Sequence, residues 1–298
     1  MGGKQSFFNL VQAYINPGDE VIIPAPYWVS YPDMVLLGEG VTVIIKAELA
    51  QHFKITPKQL QSAMSDRTRM VVINSPSNPT GVAYSAEELK ALADVLIHTP
   101  GVLIATDDMY EHIRWTKDPF VNILNVCPEL YDRTIVLNGV SKADSMTGWR
   151  IGYAAGPAKL IQAMKKIQSQ STSNPASISQ AAATAALDGD QTCIQVMLKA
   201  FKERHDYVVK RLQAMPGFHC EPNDGTFYLF PDVTEAMSRL DHIQTDVDFA
   251  EYLLQEAGVA GVPGSAFGLP GYIRFSYATS MEKLKEAFDR IERVLTKS

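Results

Sequence analysis

The sequence predicts an α/β protein: a mainly parallel sheet flanked by helices, followed by a smaller C-terminal α+β part. Three observations predict it. Short apolar runs alternate with helical patterns through the first two thirds of the chain, and strands alternating with helices make parallel sheets covered on both faces. The last third changes character to one long helical pattern, then strands surrounded by helices. Several early apolar runs end in segments rich in Asn, Asp, Lys and Gly, and open sheets of this kind hold ligands at the carboxyl ends of their strands.

Taken in order, Lys4 to Ile15 carries Phe7, Phe8, Val11 and Ile15 at helical spacing, and Asn16-Pro17-Gly18-Asp19 stops it. Glu20 to Ile23 is the first strand, ended by Pro24, and Val41 to Ile45 the second. Thr56-Pro57 opens a helix, and Met70 to Ile73 is the third strand. Ser85-Ala86-Glu87-Glu88 has the form of a capping box and opens a helix to about His98. Val102 to Ala105, Thr134 to Leu137 and Ile151 to Ala154 are the fourth, fifth and sixth strands. Thr192 to Met215 is a long helix with Lys202, Glu203, Arg204, Lys210 and Arg211 on its polar face. Thr226 to Phe230 and Ile273 to Tyr277 are strands, with helices at about Asp248 to Ala257 and Ser280 to Leu295. The change of character divides the chain into a large α/β domain, 1–188, and a small α+β domain, 189–298.

A chain of 298 residues suits one large domain or two smaller ones, and an apolar content of 46% is ordinary for a globular protein. A net charge of −6 argues against a nucleic-acid surface, though not against a small anion held by local arginines. Cys127, Cys193 and Cys220 lie far apart without C-x-x-C spacing. They read as reduced thiols of a cytoplasmic protein. The start, Met-Gly-Gly-Lys-Gln-Ser, has no apolar core of a signal peptide, and the apolar runs are too short to span a membrane. The six histidines show no metal-ligand spacing, and no G-x-G-x-x-G follows a strand.

The strand ends carry the chemistry. Asn74-Ser75-Pro76-Ser77-Asn78-Pro79-Thr80-Gly81 is an irregular loop in which Asn78 offers an amide; by itself it reads as a polar turn. Asp107 is the first acid past the fourth apolar run and needs a partner if buried, with a helix N-terminus the simplest one. Gly2-Gly3-Lys4 precedes a helix whose free amides suit a phosphate or a plain N-cap. Trp28 is core or a stacking platform. Ser141-Lys142 and Arg150 lie in one short loop between strands; a lysine amine forms a Schiff base with a carbonyl, and an arginine fork suits a phosphate. Each residue alone is outweighed by its ordinary reading. Together they supply groups for a phosphate (Gly3, Lys4, Arg150), a flat ring (Trp28), a ring nitrogen (Asp107), a ring hydroxyl (Asn78, Tyr110) and an aldehyde (Lys142). Pyridoxal 5′-phosphate has all of these features.

On those motifs, with Pro26-Tyr27-Trp28-Val29-Ser30-Tyr31, Asp107-Asp108-Met109-Tyr110-Glu111, Gly225-Thr226-Phe227-Tyr228 and Ile273-Arg274-Phe275-Ser276 in the same order, the chain resembles the fold type I pyridoxal-phosphate aminotransferases of class I, in the bacterial and plant aspartate aminotransferase subgroup. The resemblance spans essentially the whole chain. It implies a cofactor-binding large domain and an exchange of amino groups between aspartate and 2-oxoglutarate. In it Lys142 would form the internal aldimine and shuttle the substrate proton. Asp107 would pair with the ring nitrogen, Asn78 and Tyr110 with the ring 3′-oxygen, and Trp28 would stack on the ring. Gly3 and Lys4 (mainly through backbone amides), Ser141 and Arg150 would surround the phosphate. Arg274 would clamp the substrate α-carboxylate, with Asn78 and Trp28 also bordering the substrate. It further implies a homodimer, with prephenate or aromatic substrates within the subgroup's range.

Two features depart from the family pattern. Relatives carry a substantial segment ahead of the Gly2-Gly3 loop, so exposed apolar surface and weak or absent transaminase activity are expected. Asp144 stands two residues after Lys142 where an aromatic is usual; facing inward it would favour the protonated amine, and facing water it would have little effect. A pyridoxal-phosphate lyase or decarboxylase on the same scaffold is the second enzymatic reading, and a non-catalytic remnant is the reading from another class.

Overall fold

The computed structural model describes residues 2–296, so the outermost ends of the two expected domains, residue 1 and residues 297–298, lie outside the described residues. Six strands form the main sheet: β1 (Glu20–Ala25), β2 (Val41–Lys46), β3 (Thr68–Asn74), β4 (Leu103–Asp107), β5 (Thr134–Asn138) and β6 (Tyr153–Ala155), in spatial order β2-β1-β3-β4-β5-β6. The first five pair in parallel, and β6 joins β5 antiparallel. The reversal follows from the connection. Between β5 and β6 there is one 3₁₀ turn, Thr147–Trp149, and no crossover helix, and a parallel neighbour needs such a crossover.

The sheet is covered on both faces, as parallel strands require. Val21, Ile23, Val72, Ala105 and Leu137 point to one side, where helix Gly3–Tyr14 brings Phe7, Leu10 and Val11, and helix Ala158–Ser171 brings Met164. Ile22, Val71, Ile73 and Ile104 point to the other, against Leu89, Leu92 and Leu96 of helix Ala86–Leu96. The two helices opened at Thr56 and Ser85 start where the sequence places them. Thr56 accepts from the Gln59 amide and Ser85 from the Glu88 amide, and each N3 side chain reaches back to its cap.

Strand β1 runs on through Pro24 to Ala25 rather than ending at Ile23. Its pairing with β3 stops at Ile22 while pairing with β2 continues to Ala25, so the proline's missing donor leaves no ladder bond broken on the β3 side. Strand β4 likewise extends to Asp107, which lies in register with Asn74 of β3. Helices Ser30–Leu37, Ala158–Ser171 and Ser177–Asp188 are additions to the sequence reading.

The second sheet holds β7 (Tyr228–Leu229), β8 (Val262–Pro263) and β9 (Ile273–Ser276), in the order β7-β9-β8 and antiparallel throughout. Strand β8 is too short, and too interrupted by Pro263, to register as an apolar run. Helix Thr192–Ala214 buries Phe201, His205, Val208 and Leu212 against this sheet's core, which also contains Phe249, Phe275 and Phe288. Tyr110 and Ile113, just past β4, belong to the same core, so the main sheet feeds its carboxyl edge directly into the second one. Among the described residues, no helix is long and apolar enough to cross a membrane.

Candidate active site

All ten residues singled out in the sequence border one cavity of about 280 Å³: Gly3, Lys4, Trp28, Asn78, Asp107, Tyr110, Ser141, Lys142, Arg150 and Arg274. It lies at the carboxyl edge of β3, β4 and β5, the location the topology prescribes.

Lys142 follows β5 on the buried Val140–Ser141 step. Its ammonium sits 5.8 Å from the ring centre of Tyr110 and 5.5 Å from that of Phe227. Burial pushes its pKa down, Arg274 and Arg150 push the same way, and Asp107 opposes them. An amine so placed loses its proton, and becomes nucleophilic, more easily than an exposed lysine.

Asp107 ends β4. Its partner is neither a helix N-terminus nor another strand: the Tyr31 hydroxyl donates to Oδ2, and the Met109 amide donates to Oδ1 at 3.2 Å. Burial raises its pKa, while the Tyr31 bond, the Met109 amide and the Lys142 charge lower it. Partly buried and bordering the cavity, the carboxyl could pair with a cationic group placed there. Asn74 supports it from the neighbouring strand, donating from Nδ2 to the Asp107 carbonyl at 2.9 Å and accepting from the Asn78 amide at 2.9 Å.

Arg274 comes from β9. Its Nη1 donates to Asn78 Oδ1 at 2.8 Å, and its guanidinium lies 4.4 Å from the ring centre of Tyr228 and 4.9 Å from that of Phe267. Its Nε is buried without a hydrogen-bond partner, while the residue as a whole borders the cavity, where a guanidinium suits a carboxylate. The Tyr110 and Tyr228 hydroxyls share a hydrogen bond at 3.3 Å.

At the opposite end, helix Gly3–Tyr14 starts on the cavity with Gly3 and Lys4 as its first residues. The first amides of a helix have no partner within it and suit an anion. Gly2 has a φ of 71°, and a Cβ there would come within 2.8 Å of Arg150 Nη2, so a side chain would displace the guanidinium. The Gly2 amide donates to the Arg150 carbonyl at 2.9 Å, and Arg150 Nη1 donates to the Thr147 carbonyl at 2.8 Å. The Lys4 ammonium lies 5.2 Å from the ring centre of Trp28. Lys4 and Trp28 both border the cavity. Trp28 is half-buried and meets Tyr31 edge-on at 5.1 Å.

These are the features of a known family. The chain matches the family model for aminotransferase class I and II over residues 1–291. It is 59% identical, over 300 aligned residues, to an aspartate/prephenate aminotransferase of Nitrosomonas europaea, covering 99% of this chain and 76% of that protein. It is 49% identical to an aspartate aminotransferase of Geobacillus stearothermophilus, covering 99% and 75%. It superposes on a crystal structure of the aspartate aminotransferase from Rhizobium meliloti with a TM-score of 0.95 at 48% identity, covering 99% of this chain and 75% of that one. The chain belongs to the class I and II aminotransferases.

Asp144 of this aminotransferase does not border the cavity. Burial raises its carboxyl's pKa and the nearby His112 lowers it, and it is not among the charges that act on Lys142. Of the two arrangements the sequence leaves open for it, facing the cavity or facing water, the structure keeps Asp144 off the cavity wall. Sequence reasoning also assigned no role to Tyr31 or Tyr228, which complete the aminotransferase's site. Tyr31 stands three residues after Trp28 at the start of a helix, and one hydroxyl on an otherwise apolar face is the only local signal it gives.

Proposed function

We propose that this aminotransferase binds pyridoxal 5′-phosphate in the cavity and moves an amino group between aspartate and 2-oxoglutarate. The observation that carries the reading is the Lys142 amine, its pKa lowered by burial, bordering the same cavity as the partly buried carboxyl of Asp107 and the partly buried guanidinium of Arg274. The donor set fits the cofactor. Gly3 and Lys4 amides, Ser141 and Arg150 would hold its phosphate, Asp107 its ring nitrogen, and Trp28 its face. Tyr110 and the Asn78 amide group, whose oxygen is taken by Arg274, would meet its 3′-oxygen. Bound there, it supplies an aldehyde within reach of a lysine and a ring that draws electrons from the substrate Cα. Lys142 Nζ, whose pKa burial lowers, would take up the Cα proton and return it one carbon away. Arg274 orients the α-carboxylate through two parallel donors.

Aspartate is supported by the names of the relatives and by Lys4 on the cavity wall, a second cation that favours an acidic side chain. A second reading, prephenate or another aromatic-forming substrate, is favoured by the relatives named aspartate/prephenate aminotransferase. The test is direct. The protein mixed with pyridoxal phosphate gains a visible absorption band that borohydride fixes on Lys142, and 2-oxo acid forms from aspartate without release of carbon dioxide. No band overturns the cofactor assignment; carbon dioxide release makes the chain a decarboxylase.

We further infer a division into a cofactor-binding domain, 1–188, and a small domain, 189–298, supported by the two sheets and their separate cores. Limited proteolysis at Gly189–Gln191 tests it. Homodimerisation is supported by helix Ser177–Asp188, which buries only Ala183 and leaves Ile178 and Leu187 exposed; sedimentation as a monomer alone would refute it. A cytoplasmic location is supported by three free cysteines.

A further inference from the structure

We infer that Asn223 is a positioning residue for the Arg274 guanidinium, and through it for the α-carboxylate of the substrate; this rests on the carboxylate role proposed for Arg274. Asn223 is 7% exposed and lies outside the cavity. Its Nδ2 donates to two carbonyl oxygens, that of Thr80 at 2.8 Å and that of Tyr228 at 2.6 Å. Thr80 is two residues beyond Asn78, whose side chain accepts from Arg274, and Tyr228 carries the ring beneath the same guanidinium. One amide group therefore ties together the two supports of Arg274, one from the main sheet and one from the second.

The side chain has little freedom to move. Its own backbone amide donates to His205 Nε2 at 3.2 Å, and its carbonyl accepts from Trp115 Nε1 at 2.8 Å. Across the junction, the Asp224 and Gly225 amides both donate to the Gly81 carbonyl, at 3.1 and 2.9 Å. Gly81 is obligatory there, because a Cβ would lie 2.0 Å from Asn223 Nδ2. The chemistry also fixes which end of the amide faces inward. Only a donor fits between two carbonyl oxygens, and a carboxylate of the same shape would repel both.

The test compares Asn223→Ala and Asn223→Asp with Arg274→Lys, all loaded with pyridoxal phosphate. Succinate binding is measured by calorimetry, cofactor affinity by visible absorbance, and KM and kcat with aspartate. An Arg274 guanidinium whose two supports are no longer tied together is misplaced for the carboxylate, which predicts a rise of about tenfold in the succinate Kd and in KM for Asn223→Ala, on the order of 1.4 kcal/mol. Asn223→Asp should rise further, while cofactor affinity and kcat change less than about twofold. Unchanged succinate binding in both Asn223 variants, with Arg274→Lys weakened, overturns the inference and leaves Arg274's role standing. Unchanged binding in Arg274→Lys overturns the carboxylate role and the inference with it. Equal losses of cofactor and succinate affinity, with a lowered melting temperature, mean that Asn223 only holds the fold and also overturn it.

Discussion

Replacing Tyr31 by Phe removes one oxygen and tests how the cavity tolerates the Asp107 charge. Tyr31 is 1% exposed, and Phe fills its place against Phe7 and Trp28, so the packing cost is small. What is lost is the hydroxyl that donates to Asp107 Oδ2. Burial raises the Asp107 pKa, and the Tyr31 bond is the strongest influence opposing it; without it the pKa rises further. A carboxyl whose pKa is higher in the folded than in the unfolded state holds its proton more tightly when folded. Its contribution to stability is greatest below the ordinary carboxylate pKa of about 3.9 and declines as pH rises towards the raised value. Above the raised pKa the bond serves an ion, worth about 1.5–3 kcal/mol; below it the bond serves a neutral acid, worth about 0.5–1.5 kcal/mol. For a chain of this size, that converts to a melting-temperature loss of roughly 3–6 °C with Asp107 ionised and roughly half as much with Asp107 protonated. Calorimetry on the cofactor-free protein across a pH series measures it. A loss that does not grow with rising pH would refute the account of Asp107 as a carboxylate supported by Tyr31.

Three further outcomes follow from the same structure. Arg274→Met should raise the Lys142 pKa, because Arg274 is the strongest charge lowering it; the pH dependence of Lys142 acylation in the cofactor-free protein reads this shift. Asp144→Asn should leave that titration unchanged, since Asp144 does not border the cavity and is not among the charges acting on Lys142. Phe249→Ala, at 0% exposure in the core of the second sheet, should cost about 3–5 kcal/mol in urea unfolding.

Much of the site was readable because its parts are locally encoded. Polar residues that interrupt apolar runs at Asn74–Gly81, Asp107–Glu111 and Ser141–Arg150 mark strand ends, and a parallel sheet gathers such ends on one edge. The helix starts at Thr56 and Ser85 were readable because a capping box closes within four residues. Strand β8 was not, because two residues carry no periodicity. The antiparallel β6 had a local cause, a connection with no helix in it, that apolar patterning alone does not express.

By itself, then, the sequence determined the alternation of strands and helices, the residues offered at the strand ends, and the chemistry they share. Only the tertiary structure decided which of them touch. Tyr31 reaches Asp107 across 76 positions and Asn78 reaches Arg274 across 196, and Asn223 meets Thr80 across 143. Capping and periodicity act over a turn or two of chain, so they fix what each segment becomes. Partners this distant are chosen by how whole sheets pack, and that packing gives the Asp107 carboxyl its Tyr31 support, keeps Asp144 off the cavity wall, and sets the guanidinium of Arg274 between Asn78 and Tyr228.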